Sequence, residues 1–131
     1  MLAFDRVRSC FHLDGVAIGP GLTASQLANS LLAGIEPMPD NPAWSFLRVD
    51  DRPVNAFVTF LDGKMHSGRF WMDVPSAGWE DHERAERERR ARHECLMNAM
   101  FGAVRYEDHA IRVELVRDPR SGLEQIGFEV R

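Results

Sequence analysis

Between Cys10 and Gly19 the apolar residues Phe11, Leu13, Val16 and Ile18 flank an Asp14-Gly15 pair, a spacing that predicts two short strands around a tight turn. The same every-second-residue pattern returns from Trp44 to Val49 and again in Val54, Ala56, Val58 and Phe60. After Asp62-Gly63 it runs from Lys64 to Val74, where Phe70, Met72 and Val74 share a side. These three runs read as an antiparallel meander. Ile111, Val113 and Leu115, then the turn residues DPRSG from Asp118 to Gly122, then Ile126, Phe128 and Val130 predict a closing hairpin.

Two stretches change period. In GPGLTASQLANSLLAG, Thr23 and Gln26 have capping-box spacing, Leu27, Leu31 and Leu32 share a helical face, and Gly34 is placed to end the helix. PMPDNP, from Pro37 to Pro42, is expected to be a loop, because proline removes backbone donors and fixes φ. WEDHERAERERRARHECLMNAMFG, from Trp79 to Gly102, predicts a long helix. Its pairs Glu80 and Arg84, Glu83 and Arg87, Glu86 and Arg90, and Glu88 and Arg92 set the acid four residues before the base, worth roughly 0.2 to 0.5 kcal/mol each when exposed. At 100° per residue Trp79, His82, Glu86, Arg90 and His93 fall on the arc of Met97, Met100 and Phe101. The C-terminal half is therefore expected to pack on the sheet, with Trp79 anchoring the start and the N-terminal half reaching the rim or a partner. The order of elements predicts a two-layer α+β fold, an antiparallel sheet of about five to seven strands with two helices on one face, as one domain over residues 1–131.

Composition narrows the partners. The 131 residues carry 16 basic and 20 acidic side chains, a net charge of −4, so no positive field draws phosphate backbones and nucleic acid is not an expected ligand. Lys64 is the single lysine; arginine suits planar recognition of carboxylates, although a codon preference explains the bias as simply. Cys10 and Cys95 lie far apart with no CxxC, which predicts free thiols in a reducing cytoplasm. Neither a signal peptide nor a membrane span is expected from the pattern.

Catalytic chemistry finds no purchase. The chain has no GxSxG elbow, no phosphate-binding glycine loop and no HExxH. His66 and Ser67 adjoin on a strand, where neighbours are expected to face opposite ways. His82 and Glu86 have two-ligand spacing for a metal, but His93 lies eleven residues on, roughly 16 Å along the axis. Neither cofactor nor catalytic residue is expected. A small metal-dependent enzyme using His82, Glu86 and His66 or His109, or a homodimeric structural domain, are the alternatives. The alternation instead groups a surface: if Phe70, Leu47 and Val49 face the core, then Arg69, Trp71, Trp44, Phe46 and Arg48 face away. With Trp79 these residues form the candidate interface, since Trp, Phe and Arg are favoured at binding hot spots. That face is open to three readings: cover within the chain, a second copy, or a partner.

GPGLT, AWSFLRVD, FVTFLDGKM, WEDHERAERERRARHE and the closing DPRSG hairpin resemble small bacterial α+β proteins, some of them immunity proteins that neutralise toxins. His82 departs from the second Trp with which such helices begin. The resemblance implies a non-enzymatic cytoplasmic protein whose partner is another protein, such as a toxin, and carries over no catalytic residue.

Overall fold

The computed structural model describes residues 1–28 and 35–131. Among these residues, ten strands form two antiparallel sheets. A small sheet orders β1 (Leu2–Asp5), β2 (Cys10–Leu13) and β3 (Val16–Ile18). A large one runs β4 (Ile35–Met38), β5 (Asn41–Val49), β6 (Asn55–Leu61), β7 (Lys64–Trp71), β10 (Glu124–Val130), β9 (Ile111–Arg117) and β8 (Arg105–Glu107). Helix α1 (Ala24–Ala28) follows β3, and α2 (His82–Phe101) follows a 3-10 turn at Trp79–Asp81.

The β2–β3 and β6–β7 hairpins turn at the two Asp-Gly pairs. Asp14 and Gly15 have φ of 50° and 84°, Asp62 and Gly63 of 50° and 79°, the double positive φ that matches strand twist. The expected closing hairpin pairs Ile126 with Leu115 and Phe128 with Val113. The capping box is also present, with Thr23 N–H donating to Gln26 Oε1 at 2.8 Å and Gln26 N–H to Thr23 Oγ1 at 3.3 Å. Leu31, Leu32 and Gly34 lie outside the described residues.

The second layer differs from the one expected. Two helices were to cover the sheet; instead the small sheet and α2 do so together. Phe11, fully buried on β2, packs on Phe70 of β7 at 4.8 Å and Phe128 of β10 at 5.4 Å between ring centroids. Phe4 of β1 meets Phe101 of α2 at 4.8 Å and Tyr106 of β8 at 5.1 Å. Strand β1, which has no Asp-Gly pair beside it, is not among the expected elements. Helix α1 sits instead at the β6–β7 turn, where Ala24 N–H donates to Gly63 O at 2.8 Å.

The Pro37 to Pro42 segment is not a loop but a hairpin of β4 and β5. Strand β4 is the sheet's edge, paired only to β5, with Pro37 opposite Ser45 and a register shift between Pro37 and Met38. Pairing to β6 begins beyond Pro42, at Trp44. Both prolines thus stand where no inner ladder needs their missing donor.

Burial along α2 also runs further than expected. Ala85, Arg89, His93, Met97 and Phe101 are buried, a stripe four residues apart along the whole helix, whereas Trp79 is 91% exposed and anchors nothing. The reason is that β7 ends at Trp71 and leaves the backbone of Met72 without a ladder. His93 Nε2 accepts the Met72 N–H at 3.0 Å, and Arg89 Nε donates to the Met72 carbonyl at 3.4 Å. Satisfying that buried strand end justifies two polar residues inside. Burial, with Arg89 nearby, lowers the His93 pKa to about 4, so the imidazole is neutral. Of the four acid-before-base pairs, Glu88 and Arg92 join at 2.7 Å. Arg84 turns to Asp81 and Glu88, Arg90 to Glu94, and Glu86 pairs with the buried Arg89.

Asp108 clasps the layers. Its carboxylate accepts from Ser9 Oγ at 2.6 Å, Tyr106 Oη at 2.8 Å and the Ala110 and Ile111 N–H groups at 2.7 and 2.9 Å. Burial raises its pKa, but these four donors, Ser9 foremost, outweigh burial and hold it at about 2.

Candidate functional site

The face of the large sheet turned away from Phe11 is built by the other half of each alternation. Register puts Phe46, Thr59, Ser67, Glu129 and Arg112 in one row across five strands. A second row holds Arg48, Phe57, Arg69, Gly127 and Glu114. Together with Trp71, Val116 and Gln125 they border an open hollow of about 770 Å³. The small sheet and α2 lie on the opposite face, so neither covers it. Phe46 and Phe57 stack across strands with centroids 5.4 Å apart, and both are half-buried. Gly127 deepens the floor: a Cβ there would come within 2.8 Å of a Val116 methyl, so only glycine lets Val116 lie over the strand.

The charges around the hollow are held, not loose. Arg69 donates to Gln125 Oε1 at 3.2 Å and stands 3.9 Å from Asp118. Asp118 is itself fixed in the β9–β10 turn, where the Arg120 N–H and the Ser121 hydroxyl donate to it and, with Arg69, keep its pKa below the usual carboxylate range. Arg48 pairs with Asp50 at 2.8 Å and Arg112 with Glu129 at 2.7 Å. Arg48, Arg69, Arg112 and Arg120 against Glu114, Asp118 and Glu129 make a mixed border that suits a protein surface better than a polyanion.

Of the six residues expected from the sequence, Phe46, Arg48, Arg69 and Trp71 border this hollow. Trp44 shares the face but stands outside the hollow, edge-on to His66 at 4.8 Å. Trp79 is elsewhere, with Ser76, Gly78 and His82 around a shallower dip of about 280 Å³. Phe57, Arg112, Glu114, Gln125 and Gly127 were missed. Their signal was present, since reading Val58, Val113 and Ile126 as core sends their chain neighbours outward.

The residues weighed for chemistry do not assemble. His82 is exposed, Glu86 is paired to Arg89, and neither belongs to a group of three metal-ligating side chains among the described residues. His66 and Ser67 do touch, contrary to expectation: Nδ1 lies 3.2 Å from Oγ, at a point where the β6–β7 register shifts. Ser67 Oγ is also 2.8 Å from Thr59 Oγ1, and the imidazole's ring neighbour is Trp44, not the orienting carboxylate of a catalytic triad.

No protein-family model and no curated protein matches the chain. Among solved structures it is similar to a chain of "Rhs1-CT in complex with cognate immunity protein RhsI1", with a TM-score of 0.65 over 100% of this chain and 88% of that one. The sequences are 13% identical, so the likeness is one of fold. No helix among the described residues is long and apolar enough to cross a membrane.

Proposed function

We propose that this chain is a binding protein that blocks a protein toxin by seating it in the hollow of the large sheet. The observation that carries this reading is the convergence of Phe46, Phe57, Trp71, Arg48 and Arg69 on one open face that the other described residues leave uncovered. Such residues supply most of the free energy in protein interfaces, where loss of one hot spot costs about 2 kcal/mol or more. The fold shared with a chain of a toxin and immunity protein complex supports the toxin as the kind of partner, and the cytoplasm is where such a protein would meet it.

The test uses the immobilised chain to capture its partner from lysate of the source cells, and then measures affinity for the purified partner. Trp71→Ala and Arg69→Ala each weaken that affinity by about thirtyfold with an unchanged circular dichroism spectrum. Trp79→Ala leaves it unaltered. A partner whose affinity ignores Trp71 and Arg69 sinks the reading, as does a dimer in light scattering at micromolar concentration that both substitutions dissolve.

A further inference from the structure

On the far side of the molecule from the hollow, the small sheet turns Leu2, Phe4, Phe11 and Leu13 into the core and carries Asp5, Cys10 and His12 on its other side, Cys10 buried and Asp5 and His12 half-buried. Asp5 pairs directly with Cys10 across β1 and β2, and His12 follows two residues on along the same side. Their ligand atoms all lie within 4.8 Å of one another, which no other group of three histidine, cysteine or carboxylate side chains achieves among the described residues. We propose that Asp5, Cys10 and His12 form a binding site for a thiophilic divalent cation of the zinc class.

The geometry suits such an ion. Cys10 Sγ is 3.7 Å from His12 Nε2. A tetrahedral zinc with ordinary Zn–S and Zn–N bonds sets those atoms roughly 3.6 Å apart. The carboxylate needs to close by about 1 Å to reach its own place in that shell. Asp5 is already held in place, because its Oδ1 accepts the N–H groups of Val7 and Arg8 at 2.9 and 3.2 Å. Backbone donors that orient a ligating carboxylate are the usual second support of a metal site. Charge also balances, since a thiolate and a carboxylate carry −2 against a divalent cation. The ion displaces the thiol proton to solvent as the metal–sulfur bond forms. Three protein ligands leave a fourth position for water, or for a side chain of another molecule.

Cobalt reports the bond directly. The full chain, reduced and stripped with chelator, is titrated with Co2+ and then with Zn2+. One equivalent of cobalt is expected to develop a thiolate-to-cobalt charge-transfer absorption, which zinc removes. Cys10→Ser abolishes that absorption and Cys95→Ser leaves it intact. Asp5→Asn keeps the acceptor for Val7 and Arg8 yet weakens zinc by at least about tenfold, as does His12→Ala. No absorption in the native chain, an absorption that survives Cys10→Ser, or one lost in Cys95→Ser overturns the site. Should Cys10→Ser fail to fold by circular dichroism, zinc affinity unchanged in both Asp5→Asn and His12→Ala overturns it equally.

Discussion

The two faces of the large sheet are written in the same strands and behave as opposites. On the inner face Leu47, Val58, Phe70, Ile126 and Val113 are each fully buried, and their partners are hydrocarbon. On the outer face Phe46, Phe57 and Trp71 are half-buried, and the arginines beside them are tied to acids or amides. The inner face holds the molecule together by excluding water. The outer face keeps aromatic area accessible yet preorganised, which lowers the ordering cost of binding.

Substitution should separate the two sharply. Phe70→Ala removes a ring packed between Phe11 and Phe128 and is expected to cost about 3 to 5 kcal/mol, read as a lower urea midpoint. Equal losses for Phe70→Ala and the outer Phe57→Ala would erase the distinction. A second probe reaches the inner face through pH. His93 has a folded-state pKa of about 4, below its ordinary 6.5, so the unfolded chain takes up a proton that the folded one refuses. Stability should fall as pH drops from 6.5 towards 4, by on the order of 3 kcal/mol in all. His93→Gln should flatten that slope. Glu124, whose carboxyl burial raises, works in the opposite direction, so the difference between the two urea titrations isolates the imidazole. Next in size is the clasp. Asp108→Asn, which keeps the shape but loses the charge that gathers four donors, is expected to cost about 1.5 to 3 kcal/mol, with Ser9 and Tyr106 both losing their partner. The smallest effect belongs outside: Phe57→Ala should shift stability by about 1 kcal/mol while weakening a bound partner about thirtyfold. Binding undisturbed by that change would show that the outer face is only surface.

The period-two pattern made most of this legible. It located β2, β3, β6, β7, β9 and β10, and it sent Phe46, Arg48, Arg69 and Trp71 to one side. What it could not carry was decided by partners distant in sequence. Pro37 sits in a strand because that strand is an edge, which is a property of sheet order and not of the residues themselves. Arg89 reads as part of a solvated face, and His93, although on the expected inner arc, shows no use until the strand end at Met72 needs a donor and an acceptor. Trp79 looks like an anchor by composition, but the helix begins its burial at Ala85, beyond it. Cys10 and His12 gain interest only through Asp5, brought alongside by β1, a strand that no Asp-Gly turn marks.

Neither margin of the large sheet invites an incoming strand. At one border stands Pro37 beside a dislocation in the pairing, at the other a three-residue run carrying Arg105 and Glu107. Edges of this kind discourage lateral growth into stacks or fibrils. On the function proposed above, a partner would land flat upon the middle strands, and its recognition would be made of side chains, with the backbone taking little part.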